Sequence, residues 1–277
     1  MPKRLILNAD DYGRTPSVSA GIRKAHLEGI LTSTTTMMNM AQIESDLRLA
    51  LDECSRLGLG VHLTLTAERP VLPPAQLPSL TRLAADGQSF PKLADLTRNA
   101  QSVNAAEVKA EWGAQIEKFM RLTGRAPTHL DSHHHSSYFT PEMFGAMLEL
   151  AREYRCGIRM PIASGVSMES VVQDLPAIDF LRPMLLASTD VRRPDYFEAR
   201  FYDEQATAVT LDQIIANLRE GVTEIMSHPG LADESLAAIT SYNRQRAEEL
   251  KVLTAPGLRE RVEAAGIELI SFAGRWQ

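Results

Sequence analysis

Cysteine is nearly absent: the 277-residue chain has two, Cys54 and Cys156. A chain of this length buries a core large enough to need no disulfide staple, so reduced thiols and a cytoplasmic location are expected. Long apolar runs are also missing. No window approaches the ~20 apolar residues of a membrane span. The start, MPKRLILNADDYG, has too short an apolar run before Asn8 for a signal peptide. There is no basic run either, and the net charge is −6. That balance excludes an electrostatic footprint for nucleic acid or an anionic membrane. Internal repeats and low-complexity tracts are lacking. Histidine is scarce, with seven in the chain, yet three of the seven stand together in DSHHHSSYF, from Asp131 to Phe139.

What is present reads as one globular domain over residues 1–277, with 44% apolar and 23% charged residues. Strands are predicted at Leu5–Ala9, Thr32–Met40, Leu59–Thr66, Thr128–His135, Gly157–Ile162, Val222–His228 and Ile267–Phe272. Helices are predicted at Ser17–Glu28, Ile43–Leu57, Ala105–Leu122, Pro141–Tyr154, Leu211–Glu220 (capped by Thr210), Tyr242–Thr254 and Gly257–Ala265. Residues 67–104 carry five prolines and read as a long loop or lid. Residues 163–210 are ambiguous, with an element expected near Asp179–Leu186 and a polar loop over Asp190–Asp203. Strand and helix alternate, which calls for a mainly parallel α/β sheet. Seven or eight strands suit a barrel.

The polar residues of interest lie on predicted strands, mostly toward their C-terminal ends: Asp10 and Asp11, His62, His133 to His135, Arg159 and His228. In a parallel barrel those ends meet at one rim, where active sites are built. Along an extended strand Asp131, His133 and His135 share a face, so at most two of the three adjacent histidines reach one metal, and Asp131 can hold the second nitrogen of a ligand imidazole. Asp plus two His suits a hydrolytic divalent metal. Adjacent buried carboxylates at Asp10-Asp11 are costly without a cation, and one can bind a metal while its neighbour acts as base. His129 reads as structural and His26 as solvent-facing. The Met37, Met38, Met40 cluster reads as core. Glu107, Glu111 and Lys118 read as a solvated helix face. Tyr138 and Phe139, just past the histidines, read either as a ring-stacking platform or as core, and Trp112 reads as core.

NADDYG (8–13), TSTTTMMN (32–39), GVHLTLT (60–66), PTHLDSHHH (127–135) and SHPG (227–230) resemble, in order and spacing, the YdjC family of carbohydrate deacetylases, related to the chitooligosaccharide deacetylases. The resemblance implies an irregular TIM-like (β/α) barrel related to the NodB-type polysaccharide deacetylases, acting on an N-acetylated carbohydrate. It also implies a divalent ion, magnesium or zinc, held by Asp11, His62 and His133. The strand reading leaves His133 and His135 equivalent, and only the resemblance selects His133. By the same resemblance Asp10 is the general base, His228 the general acid, and Arg159 the arginine that holds the base. Two other readings are an amidohydrolase-type barrel metallohydrolase and a catalytically idle sugar-binding protein. The first usually opens with HxH on its first strand and brings Asp late, the reverse of the order found. The second needs neither a base nor an acid. Related barrels often form homo-oligomers, but no interface is legible in the sequence.

Overall fold

The computed structural model describes residues 2–159 and 179–274. Its strands are β1 (Lys3–Tyr12), β2 (Ser33–Thr36), β3 (Gly58–Leu63), β4 (His129–Ser132), β5 (Gly157–Ile158), β6 (Tyr196–Glu198), β7 (Gly221–Ser227) and β8 (Ile267–Leu269). The helices are α1 (Pro16–Glu28), α2 (Ile43–Glu53), α3 (Pro78–Thr81), α4 (Leu93–Asn99), α5 (Ala105–Thr123), α6 (Pro141–Glu153), α7 (Leu181–Leu186), α8 (Ala208–Ala216), α9 (Glu234–Ala237), α10 (Arg244–Leu253) and α11 (Leu258–Ala264).

All eight strands join one parallel sheet: seven run in the order β5-β4-β3-β2-β1-β7-β6, and β8 lies off that path, paired with β1. β1 is its axis, buried on both faces from Leu5 onward as a central parallel strand requires. One flank pairs with β7 from Lys3 to Ala9. The other pairs first with β8 at Lys3–Leu5 and then with β2 at Asn8–Tyr12. The sheet curls into a half-barrel, and among the described residues β5 and β6 do not pair. Residues 192–195 bridge that seam: Ile158 N–H donates to Arg192 O (2.9 Å), and Asp195 N–H donates to Val222 O (2.9 Å).

Helix starts follow local chemistry. The Thr15 hydroxyl caps α1 ahead of Pro16, Asn104 caps α5 and Thr140 caps α6. α8 begins three residues earlier than its apolar pattern suggests, because Thr207, not Thr210, accepts the capping N–H. α5 ends at Gly124, whose φ of 70° is open to glycine at no steric cost. Met37, Met38 and Trp112 are core residues, as expected, and both cysteines are buried and unpaired.

Several expectations are corrected. Segment 67–104 is no featureless loop, since it contains α3, α4 and two 3-10 turns. Glu111 is not a solvated charge. It is fully buried and accepts the backbone N–H groups of Val71 and Leu72 (2.8 and 2.9 Å), tying that segment to α5. Glu107 does the same for Ser79. Asp190–Asp203 holds β6, so it is more than a loop. α9 carries no periodic signal at four residues and was not expected. The outer part of the predicted Gly157–Ile162 strand, and residues 163–178, lie outside the described residues. No helix among the described residues is long and apolar enough to cross a membrane.

Candidate active site

The strand tips converge on one cavity of ≈ 950 Å³, lined among others by Asp10, Asp11, His62, His133, His228 and Arg246. Strand alternation should send Asp10 and Asp11 to opposite faces. The chain avoids this by a left-handed residue at Asp11 (φ 70°), where the β1–β2 register slips between Ala9 and Tyr12. Aspartate tolerates that region better than most residues. Both carboxylates therefore reach the same space.

The predicted strand Thr128–His135 is corrected in the same way. β4 stops at Ser132, and His133–Tyr138 form a tight turn with His134 and His135 at φ 55°. The equivalence of His133 and His135 disappears with it. His133 Nδ1 lies 3.1 Å from Asp11 Oδ1 and 3.3 Å from His62 Nε2. His135 is turned toward Tyr138, its Nδ1 without a partner among the described residues. His134 is exposed and bonds Thr66 through Nδ1.

Asp11 Oδ1, His62 Nε2 and His133 Nδ1 thus form a triangle with sides of 3.1, 3.3 and 3.3 Å. Three donors bound at about 2.1 Å to one ion lie ~3.0–3.4 Å apart for bond angles from right-angled to tetrahedral. The donor set therefore fits a divalent cation. Two further observations agree. His62 Nδ1–H donates to Asp131 (2.7 Å), so in the neutral ring Nε2 carries the free lone pair, and Asp131 is itself held by the Thr35 hydroxyl (3.0 Å). Asp11 Oδ1 is buried with no hydrogen-bond partner among the described residues. His133 Nε2 lies 3.3 Å from Arg14 Nη1. Ligation through Nδ1 puts the ring proton on Nε2, so Arg14 does not donate to it in that state.

Arg159, just past β5, crosses the barrel interior. It donates to both oxygens of Asp10 (2.7 and 2.6 Å) and through Nε to Glu224 on β7 (2.8 Å), and it lies 3.1 Å from Asp131. Burial pushes the Asp10 carboxyl upward, but the Arg159 charge and hydrogen bonds outweigh it and hold Asp10 well below the usual carboxylate range. Five buried carboxylates (Asp10, Asp11, Asp131, Glu224, Glu249) surround two buried guanidiniums (Arg159, Arg246). Burial pushes Glu224 and Glu249 up to about 7. A cation would favour the ionised form of these partly protonated carboxylates and relieve the crowding of buried acids, which is a second reason for one to be favoured here.

His228, at the end of β7, places Nε2 3.8 Å from Asp10 Oδ2. Burial pulls its imidazole down to about 4, with Asp10 partly opposing. Its backbone N–H donates to Glu249, and Tyr202 and Tyr242 flank its ring edge-on at 5.4 and 5.8 Å. The glycine of SHPG has a packing reason. Gly230 N–H donates to Arg246 O (3.1 Å), and Gly230 lies flat on Gly21 of α1. A Cβ at Gly21 would sit 2.5 Å from Gly230 Cα, a backbone atom that no side-chain rotation relieves. Gly21→Ala is therefore expected to lower stability by roughly 1–3 kcal/mol and to displace the His228 loop. A denaturant midpoint measured beside turnover checks both.

The sequence reading missed Asn8, Arg246, Glu249 and Glu224. Asn8 was visible within NADDYG: its side chain donates to Asp10 (2.9 Å) and accepts from His129 Nε2–H (3.0 Å). His129, read as structural, thus supports the Asp10 carboxylate through Asn8. His26 is half-buried on Leu31 O, not solvent-facing. Tyr138 and Phe139 are buried in the core, so neither is a sugar platform. The aromatic wall of the cavity is Tyr202, 40% exposed, stacked on Tyr242 at 4.9 Å.

Comparison with known proteins gives the following. A family model described as YdjC-like protein matches residues 4–264. A carbohydrate deacetylase of Geobacillus stearothermophilus is 36% identical over 273 residues, 98% of each chain. A chitooligosaccharide deacetylase of Proteus mirabilis is 33% identical over 97% of each chain. A solved structure from Enterococcus faecalis V583 superposes with a TM-score of 0.84 at 34% identity, covering 98% of both chains.

Proposed function

The chain belongs to the YdjC-like family, and from that premise we propose that it is a divalent-metal-dependent carbohydrate deacetylase, hydrolysing the N-acetyl group of an amino sugar or an N-acetylglucosamine-containing glycan to acetate and a free amine. The observation that carries this reading is the donor triangle of Asp11, His62 and His133 with Asp10 and His228 beside it in one cavity. The relatives' deacetylase names support the substrate class.

Asp11, His62 and His133 would hold magnesium or zinc, which supplies a Lewis acid for the amide carbonyl and makes water more acidic. The remaining chemistry belongs to the chain's own side chains. Asp10, fixed and ionised by Arg159, accepts the proton of the attacking water. The Arg159 pairing costs Asp10 basicity and gives it a single orientation, which is what positioned proton transfer needs. His228 is neutral in the free site and must gain a proton before it can act as an acid. Asp10, 3.8 Å from Nε2, is the neighbour with a proton to give once water has lost one. His228 then donates to the departing nitrogen, so the proton leaving water ends on the amine.

The test is acetate release from a panel of N-acetylated sugars, with metals returned to chelated protein. Ion-dependent release is expected. His228→Ala should lower turnover by about 10²–10⁴ with ion content unchanged. Release that is indifferent to chelation, or no release from any N-acetyl sugar, would remove the proposal.

A further inference from the structure

Nothing in the sequence around Arg246 marks it as functional. The structure buries it to 3% exposure and places it on the cavity wall. A buried guanidinium is costly unless paired, and its pairing is specific. Nη2 donates to Asp11 Oδ2, Nε donates to Tyr242 O (3.2 Å), and the guanidinium lies 5.5 Å from the centre of the Tyr242 ring.

The consecutive aspartates are thus treated differently. Arg159 takes both oxygens of Asp10. Arg246 takes one oxygen of Asp11, and the other faces His62 Nε2 and His133 Nδ1. Asp11 needs an external hold because its left-handed backbone removes the orientation that strand geometry would impose. One helical turn on, Glu249 accepts the His228 backbone N–H and the Tyr242 hydroxyl (2.6 Å). Residues three apart share a helix face, so a single face of α10 touches both Asp11 and the His228 loop.

We propose that Arg246 is a positioning residue that holds Asp11 as a one-oxygen metal ligand aimed at the His62–His133 pair. This rests on the metal reading of those three residues. Chelated wild-type protein, Arg246→Met, Arg246→Lys and His62→Ala are titrated with Co²⁺, reading affinity and the visible absorption of the bound ion. Thermal unfolding without metal is run in parallel to register any purely structural loss. Supporting partners of ligands are worth about 10–100-fold in metal affinity, so Arg246→Met should bind Co²⁺ that much more weakly and with an altered spectrum. Arg246→Lys, which keeps a charged donor, should recover part of both. If Arg246→Met does not fold, Arg246→Gln carries the same expectation. A folded Met or Gln variant with wild-type affinity and spectrum overturns the inference while leaving the metal site intact. Failure of wild-type protein to bind Co²⁺ overturns the metal reading, and this inference with it.

Discussion

His62→Ala is expected to abolish stable divalent-ion binding and to lower acetate release by at least ~10³-fold, since a Lewis acid contributes several kcal/mol and each 1.36 kcal/mol is tenfold. His62 is the most constrained of the three donors. Its Nδ1 is tied to Asp131, and Asp131 is fixed in turn by Thr35 and Arg159. No other imidazole replaces it. His129 is spent on Asn8 and stacked on Phe272 at 3.7 Å. His135→Ala is the matched control: it removes a neighbouring buried histidine from outside the triangle and should keep the ion. Metal content and turnover, measured on both variants, decide the matter. Retention of ion and activity in His62→Ala would refute the site.

Asp10→Asn should cut turnover by about 10²–10⁴, the usual range for a general base, with the ion retained. The amide matches the carboxylate in shape, and Arg159 remains paired with Glu224 and Asp131. The stability cost at neutral pH should therefore fall below the roughly 3–5 kcal/mol of breaking an isolated buried pair. The sign of its pH dependence follows from the lowered Asp10 pKa. A carboxyl held below its unfolded value stabilises the fold above that value, and the contribution is lost as pH falls toward the folded one. The stability gap between wild type and Asp10→Asn should narrow as pH drops below about 4. Full turnover in Asp10→Asn would mean that another group takes the proton.

Much of the fold was legible because period and punctuation are local. The apolar run ending in Asp10-Asp11, the helix closed by Gly124 and the strand before His228 each lie close to where the pattern put them. The errors share a cause. Glu111 looked solvated because its partners, the Val71 and Leu72 amides, come from a segment with no period of its own. Tyr138 looked like a platform because it follows the histidines, yet the turn at His134 and His135 carries it into the core. β6, at three residues, is too short for alternation to register.

By itself, the order of residue types determined a parallel α/β chain with its carboxylates and imidazoles at strand ends, because alternation and the strand–helix rhythm are properties of neighbouring residues. Tertiary structure decided what the strand pattern left open: that His133 and not His135 faces Asp11, that both aspartates share one cavity, and that Arg159, just past β5, and Arg246 of α10 divide those aspartates between them. Those outcomes depend on two left-handed turns and on contacts spanning 149 and 235 residues. Backbone reversals and long-range charge pairing leave no periodic trace in a sequence.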